Sequence, residues 1–367
     1  MFVFVCAGCG ARVTTLLSEV PLPAHAHQQF GNGLQLPVLM EPGTFAVDPE
    51  PWGPPWRTWD EIDPDEAAAR GIYAPVPVLS DAPPGAIVIA PGDTRGTVLA
   101  PEKRGGGGYC CGLDGADGPN MACEACGLLV ATRIDDCSLW QAVWLAPDAV
   151  RRLHVDDDTP LSWAELMAEG EGTPPFAPIT TWGSRLGSNR WWSWSPQWEA
   201  AVGQALAHLL VASEGLRVTV PDGLASEVLQ RALDTLLPAG PPVRRADLAG
   251  PELPIPEADA DILLVPVHPQ TGETWAPDGA TSAYPVPLPF GVWLWLVFPE
   301  PNLPVPASGS LPYGVLRDDL PMQRPRHLFR ADPRAFQHTL ARLPAVRTPW
   351  LREILDNLTQ HGRAGLF

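Results

Sequence analysis

Two stretches far apart in the chain follow one template. Cys6-Ala-Gly-Cys9-Gly10-Ala-Arg-Val13-Thr-Thr15 and Cys123-Glu-Ala-Cys126-Gly127-Leu-Leu-Val130-Ala-Thr132 both fit C-x-x-C-G-x-x-V-x-T. A Cys-x-x-Cys turn aims two thiolates at a common point, and the glycine that follows lets backbone N–H groups approach the sulfurs. Two such turns supply four sulfurs, enough for a tetrahedral cage around one ion. Phe2–Val5 reads as the strand that delivers the first turn and Arg12–Leu17 as the strand that leaves it. Leu128–Ile134 is the outgoing strand of the second, and Leu139–Leu145 alternates over seven residues, as a strand paired back on it would.

Strand, knuckle and returning strand, found twice, resemble the zinc-ribbon module over about residues 2–17 and 120–134. The resemblance implies two hairpins around one Zn2+ held by Cys6, Cys9, Cys123 and Cys126. It carries no single activity, because zinc ribbons serve as structural modules in many settings. Compact ribbons separate their pairs by roughly 15–20 residues; here 113 residues, positions 10–122, lie between Cys9 and Cys123, which predicts a long insertion. Four thiolates also complete the shell, whereas catalytic zinc keeps a position for water, so the expected role is structural. A second grouping, Cys111, Cys123, Cys126 and Cys137, satisfies the spacing too and would leave Cys6 and Cys9 as a free pair. Cys110, Cys111 and Cys137 otherwise read as small buried apolar residues, and nothing near Cys110-Cys111 marks it as a redox pair.

Composition bounds the remaining classes. The chain has 367 residues, 45 % hydrophobic and 18 % charged, which is enough for one large or two ordinary domains with a core. Its 45 prolines and 34 glycines are scattered, as in long stiff loops rather than a fibre. A formal charge of −18, with 42 acidic against 24 basic residues and no basic run, would repel phosphates and argues against nucleic-acid binding. Met1–Val5 lacks the basic segment of a signal peptide, and Gly291–Phe298 is too short to span a bilayer, so no membrane role is expected and the cytoplasm is the expected compartment.

The expected fold class is α+β. A β-rich zinc-ribbon half with inserted proline-rich loops covers 1–170, a linker 171–189, and an α/β half 190–367. Short extended segments are expected near Leu36–Met40, Thr44–Val47, Val76–Leu79 and Ala86–Ala90, a short helix over Pro64–Arg70, helical turns over Pro147–Leu153, and a helix that starts at Thr159-Pro160. Ser195-Pro196 opens the clearest helix, with Trp198, Val202, Leu206 and Leu209 on one apolar face and Gly215 at its end. Leu216–Val220 follows as a strand and Leu224–Leu236 as a helix. Asp261–Val265 and Val292–Phe298 read as strands buried on both faces. Asp332-Pro333 and Thr348-Pro349 start the last two helices.

Several other residues bear on function. His268, just past the Asp261–Val265 strand, with Glu273, is the candidate catalytic pair, because α/β folds place ligands beyond the carboxyl ends of strands. His25-Ala-His27 offers two imidazoles at a ligand spacing, with no carboxylate beside it in sequence. Gly105–Gly108 lacks the lysine and hydroxyl residue of a phosphate loop. Trp191, Trp192, Trp194 and Trp198 form either an exposed contact surface or a plug between the halves. The reading that follows is a zinc-binding protein that acts through contacts with another protein, as an adaptor or regulatory subunit. The alternative is an enzyme with structural zinc and a site at His268 and the junction. Oligomeric state is not encoded in any of these features.

Overall fold

The structure, a computed structural model, describes residues 1–28, 34–51, 55–100, 112–155, 159–184, 187–254, 260–277, 282–299 and 330–360. Gly105–Gly108, Cys110 and Cys111 lie outside the described residues, and so do the side chains of Trp191 and Trp192.

The fold is α+β. In the amino-terminal half a seven-stranded sheet runs in the order Ser18–Glu19, Thr44–Val47, Ile87–Ile89, Ala142–Leu145, Leu129–Ile134, Met121–Cys123, Thr97–Leu99. Side chains alternate across its two faces, and both faces are buried. Phe45, Ile87, Ile89, Val130, Val143 and Leu145 join Phe4, Cys6, Val13 and Leu17 in one core. Ala46, Val88, Ala142 and Trp144 join Leu36, Met40 and Trp140 in another on the opposite face. The strand Phe2–Cys6 covers the first core. One of its edges pairs antiparallel with Val150–His154, from Phe2↔His154 to Cys6↔Val150. Along the other edge the chain returns over itself through Cys6 N–H to Ala11 O (2.7 Å), Val13 N–H to Phe4 O (2.9 Å) and Leu17 N–H to Phe2 O (2.8 Å). The helical turns expected over Pro147–Leu153 shrink to a 3-10 turn at Pro147–Ala149, and Val150–His154 is a strand, because the edge of Phe2–Cys6 offers it a full ladder. The helix expected from Thr159-Pro160 starts later, at Trp163–Glu169. Ser162 and Glu165 cap it reciprocally, and that S-x-x-E box outweighs the proline signal.

In the carboxy-terminal half four parallel strands, Val218–Thr219, Arg244–Leu248, Ile262–Val267 and Tyr284–Pro289, lie in sequence order. Tyr284–Pro289 is an edge, and its Pro285, Pro287 and Pro289 have no N–H to offer a further strand. Helix Pro196–Ser213 is buried nearly all round and crosses helix Pro333–Arg342 at Gly203, where a Cβ would overlap the Asp332 carbonyl oxygen. Val292–Phe298, expected as a strand, belongs to helix Phe290–Val297. Phe290, Val292, Trp293, Leu294, Trp295 and Leu296 are all buried there, so the run carries no polar face from which a helical period could be read. The stretch 171–189, expected as a linker, contains strand Phe176–Ser184, which pairs with Gly187–Trp194 in a hairpin extended by Leu34–Gln35. The carboxy-terminal core also draws in Ala74 and Leu166. Trp198 is fully buried in it and donates its indole N–H to Thr173 O, while Trp194 packs partly buried against it. Among the described residues no helix is long and apolar enough to cross a membrane.

Candidate metal centre

The two knuckles fold identically, bond for bond. Cys6 N–H donates to Ala11 O at 2.7 Å and Cys123 N–H to Leu128 O at 2.8 Å; Gly10 N–H donates to Cys6 O at 2.9 Å and Gly127 N–H to Cys123 O at 2.8 Å. The residue after each first cysteine is tied to a third segment, Ala7 N–H to Ala149 O and Glu124 N–H to Gly96 O, both at 2.9 Å. Gly10 and Gly127 both have φ +76°, the left-handed conformation that closes the turn and that a side chain resists. Val13 and Val130 occupy the same core with no exposed surface. The shared template is therefore a shared conformation.

Third segments hold the knuckles in place. Asp93 ties down the strand that leaves the first knuckle: its backbone oxygen accepts from Thr15 N–H (2.8 Å), and its carboxylate accepts from Thr15 Oγ1 (2.9 Å) and Gly43 N–H (2.8 Å). Asn120 does the same for the second, accepting from Arg133 N–H (2.7 Å) and donating to Arg133 O (2.9 Å), beyond the point between Leu129 and Ala131 where the ladder to Met121–Cys123 shifts register.

This scaffold brings together the four cysteines named from the sequence. Cys6 Sγ lies 3.6 Å from Cys126 Sγ and Cys9 Sγ 3.7 Å from Cys123 Sγ, and all four sulfurs fall within 4.8 Å of one another. A tetrahedral ion with metal–sulfur bonds of about 2.3 Å sets its ligands about 3.8 Å apart, so the donor set could hold a metal ion. Each knuckle contributes one buried sulfur, Cys6 or Cys123, and one exposed, Cys9 or Cys126. Among the described residues no other group of three or more such ligands comes together. Cys137 is buried outside the cluster, with its N–H on the carboxylate of Asp136, so the grouping through Cys137 is not formed.

Two of the thiols, Cys6 and Cys126, are displaced in opposite directions. Burial raises Cys6, but the N–H groups of Cys9 and Gly8 and the sulfurs of Cys126 and Cys123 outweigh it and bring the pKa down to about 7. The Leu128 N–H lowers Cys126, yet the neighbouring Cys9 and Cys6 push it up to about 12. The Cys6 thiolate thus forms readily, and the Cys126 thiol resists ionisation beside its neighbouring sulfurs.

The other candidates sit elsewhere. His268 is 4 % exposed; its Nε2 lies 2.8 Å from Leu161 O and its Nδ1 accepts from Gln270 and Thr271 N–H at 3.2 Å. Both ring nitrogens face main chain, and Glu273 meets His268 through its backbone oxygen while its side chain is exposed. His25 and His27 belong to a turn and diverge. His25 is buried edge-on to Trp140, and burial brings its pKa down to about 4. His27 stacks on Trp144 and meets Asp48 at 2.9 Å, so the carboxylate that the local sequence lacks arrives from 21 positions away. His338 approaches from helix Pro333–Arg342, and Arg342 pairs with Glu50. Sequence reasoning missed Asp48 and the buried Gln28 beside this group; Trp140 and Trp144, four positions apart in the alternating run Leu139–Leu145, were the only visible signal. Compared with models of protein families, with curated proteins and with solved structures, the chain matches none of them.

Proposed function

We propose that the chain is a structural-zinc protein of the zinc-ribbon kind that works through contacts with another protein, as an adaptor or regulatory subunit. The observation that carries the zinc reading is the pair of equivalent knuckles converging on four sulfurs. An all-thiolate tetrahedral set favours zinc, and four protein ligands leave no position for a reacting water. The ion's work is then mechanical: it ties residues 114 positions apart. By the chain-entropy argument for crosslinks, closing a loop of that length stabilises the fold by about 4–5 kcal/mol. It supplies a link that a reducing compartment denies to disulfides. Knuckle tips also present apolar surface, with Leu128 39 % exposed next to Gly8, which suits a protein contact better than the −18 chain suits a nucleic acid.

Elemental mass spectrometry on purified protein tests the metal reading. The expected result is one zinc per chain, lost in Cys6→Ser and kept in Cys137→Ser. Loss with Cys137 alone, or a metal-free wild type, would overturn it. Affinity capture under native salt tests the adaptor reading; a turnover assay that succeeds where no partner is captured would replace it with an enzyme.

A further inference from the structure

The parallel sheet closes both of its edges. Tyr284–Pro289 ends it with prolines, and at the other edge the Gln230 carboxamide takes Val220 N–H (3.0 Å) and Val218 O (3.1 Å). Val150–His154 is an edge strand with no such closure. Ala7 N–H to Ala149 O and Val155 N–H to Met1 O fix the phase of its ladder with Phe2–Cys6. The main-chain groups of Arg151 and Leu153 therefore face that strand, and those of Val150, Arg152 and His154 face away. Among the described residues, the N–H and C=O of Val150 and Arg152 meet no partner. Residues 151–155 are exposed, Leu153 to 46 % and Val155 to 45 %. An edge of this kind is a template for one more strand.

Its side chains divide by face. Arg152 turns inward over the Phe2 and Phe45 rings with Glu19 as its ion pair, and His154 lies edge-on to Phe2. Arg151, Leu153 and Val155 take the outer face. Arg12 stands in the same row as Arg151, since the two pair with Val5 from opposite sides. The Arg151 guanidinium reaches as far as Gly10 of the first knuckle. Neither arginine has an ion-pair partner among the described residues. In a chain of net charge −18, two such arginines in one row suit a carboxylate at this end of the edge. We propose that residues 150–155 take up an extended segment of a partner protein as an added antiparallel strand. An aspartate or glutamate of that segment lies opposite Arg151, and apolar side chains lie opposite Leu153 and Val155. A second copy of this chain fits less well: two-fold pairing about Arg152 sets arginine against arginine and brings two acidic chains together. The proposal deepens the adaptor reading, on which it rests, and does not depend on the metal.

Titration of acetyl-Thr-Val-Thr-Val-Thr-Glu-Thr-amide into the ¹⁵N-labelled full chain tests it. The valines of this peptide face Val155 and Leu153, and its glutamate faces Arg151. The amide signals of Val150, Arg152 and His154 are expected to move more than those of Arg151 and Leu153. N-methylation of the second or third threonine, whose N–H points at the edge, is expected to weaken binding about fivefold or more. N-methylation of the second valine, whose N–H points away, is expected to change it by less than about twofold. Lysine in place of the glutamate is expected to cost about threefold, regained in Arg151→Glu. Arg152→Pro removes an outward N–H, spares every bond to Phe2–Cys6, and is expected to weaken binding about fivefold. No shift at about 5 mM peptide, equal losses from methylating threonine and valine, or a lysine peptide that binds as well would overturn the added strand. So would a chain that dimerises unless Arg152 is replaced by proline, since the occupant is then a second copy. Should Arg152→Pro fail to fold, the methylated peptides decide. Partner capture by a wild-type chain that binds none of the peptides overturns the edge and leaves the adaptor reading standing.

Discussion

Gly127 is a clean probe of the knuckle, because its φ of +76° is left-handed and nothing stands within 4 Å of where a Cβ would go. Gly127→Ala adds backbone strain alone and is expected to lower the stability of the metal-loaded protein by about 1–2 kcal/mol, with Gly127→Asn milder. Denaturant unfolding with metal present measures this, and an unchanged midpoint would mean that the turn is not left-handed in solution. At this scale the cysteines were legible in the sequence because metal ligation constrains residue type and spacing together. The surroundings of the histidines were not. His27 finds Asp48, and His25 finds Trp140, through packing between segments 21 and 115 positions apart, and no local pattern records such a meeting. His268 shows the converse: its place past a strand end was visible, but its bonds to Leu161, Gln270 and Thr271 were not.

Helix Pro196–Ser213 starts beside another helix start. Glu199, in its first turn, is pushed up to about 8 by burial and by the neighbouring Asp332 carboxylate, the cap of helix Pro333–Arg342. The folded state therefore holds a proton that the unfolded chain releases near pH 4.5. The stability tied to this proton is full below pH 4.5 and is lost as the pH rises through about 8. Glu199→Gln keeps the shape without the charge. It is expected to match wild type near pH 4 and to exceed it by about 1–3 kcal/mol at pH 8, after allowance for solvent around a half-buried group; a parallel pair of pH–stability curves would refute this. Elements with a polar face or a cap were readable beforehand: Pro196–Ser213, Pro333–Arg342 and Pro349–Gln360 start where Ser-Pro, Asp-Pro and Thr-Pro announce them. Helix Phe290–Val297 was not, since enclosure on every side erases the contrast on which periodicity depends. The hairpin over Phe176–Trp194 was hidden by its glycine, serine and proline content, and the added strand Leu34–Gln35 comes from far upstream.

The molecule as a whole is laced across its midpoint. Arg342 grips Glu50, Tyr73 N–H donates to Ala341 O at 2.8 Å, and Leu161 N–H donates to Gln270 Oε1 at 2.7 Å. We propose that a boundary nonetheless falls within 171–189, and limited proteolysis there tests it. Removal of the metal by a chelator is expected to loosen the amino terminus first. Hydrogen exchange should rise in residues 2–17 and 121–134 while the parallel sheet over 218–289 stays protected. Uniform deprotection would mean that the ion governs the entire fold, and no change would mean that it governs nothing. The distance between the knuckles also sets a schedule for synthesis. Cys9 leaves the ribosome with no partner pair in existence, and at about 5–20 residues per second Cys123 follows roughly 6–23 s later. During that interval two thiols are free to be oxidised or to take up stray metal. Under the proposed zinc reading, loading is a late event in the life of each nascent chain, and a product truncated before position 120 carries only half of the donor set.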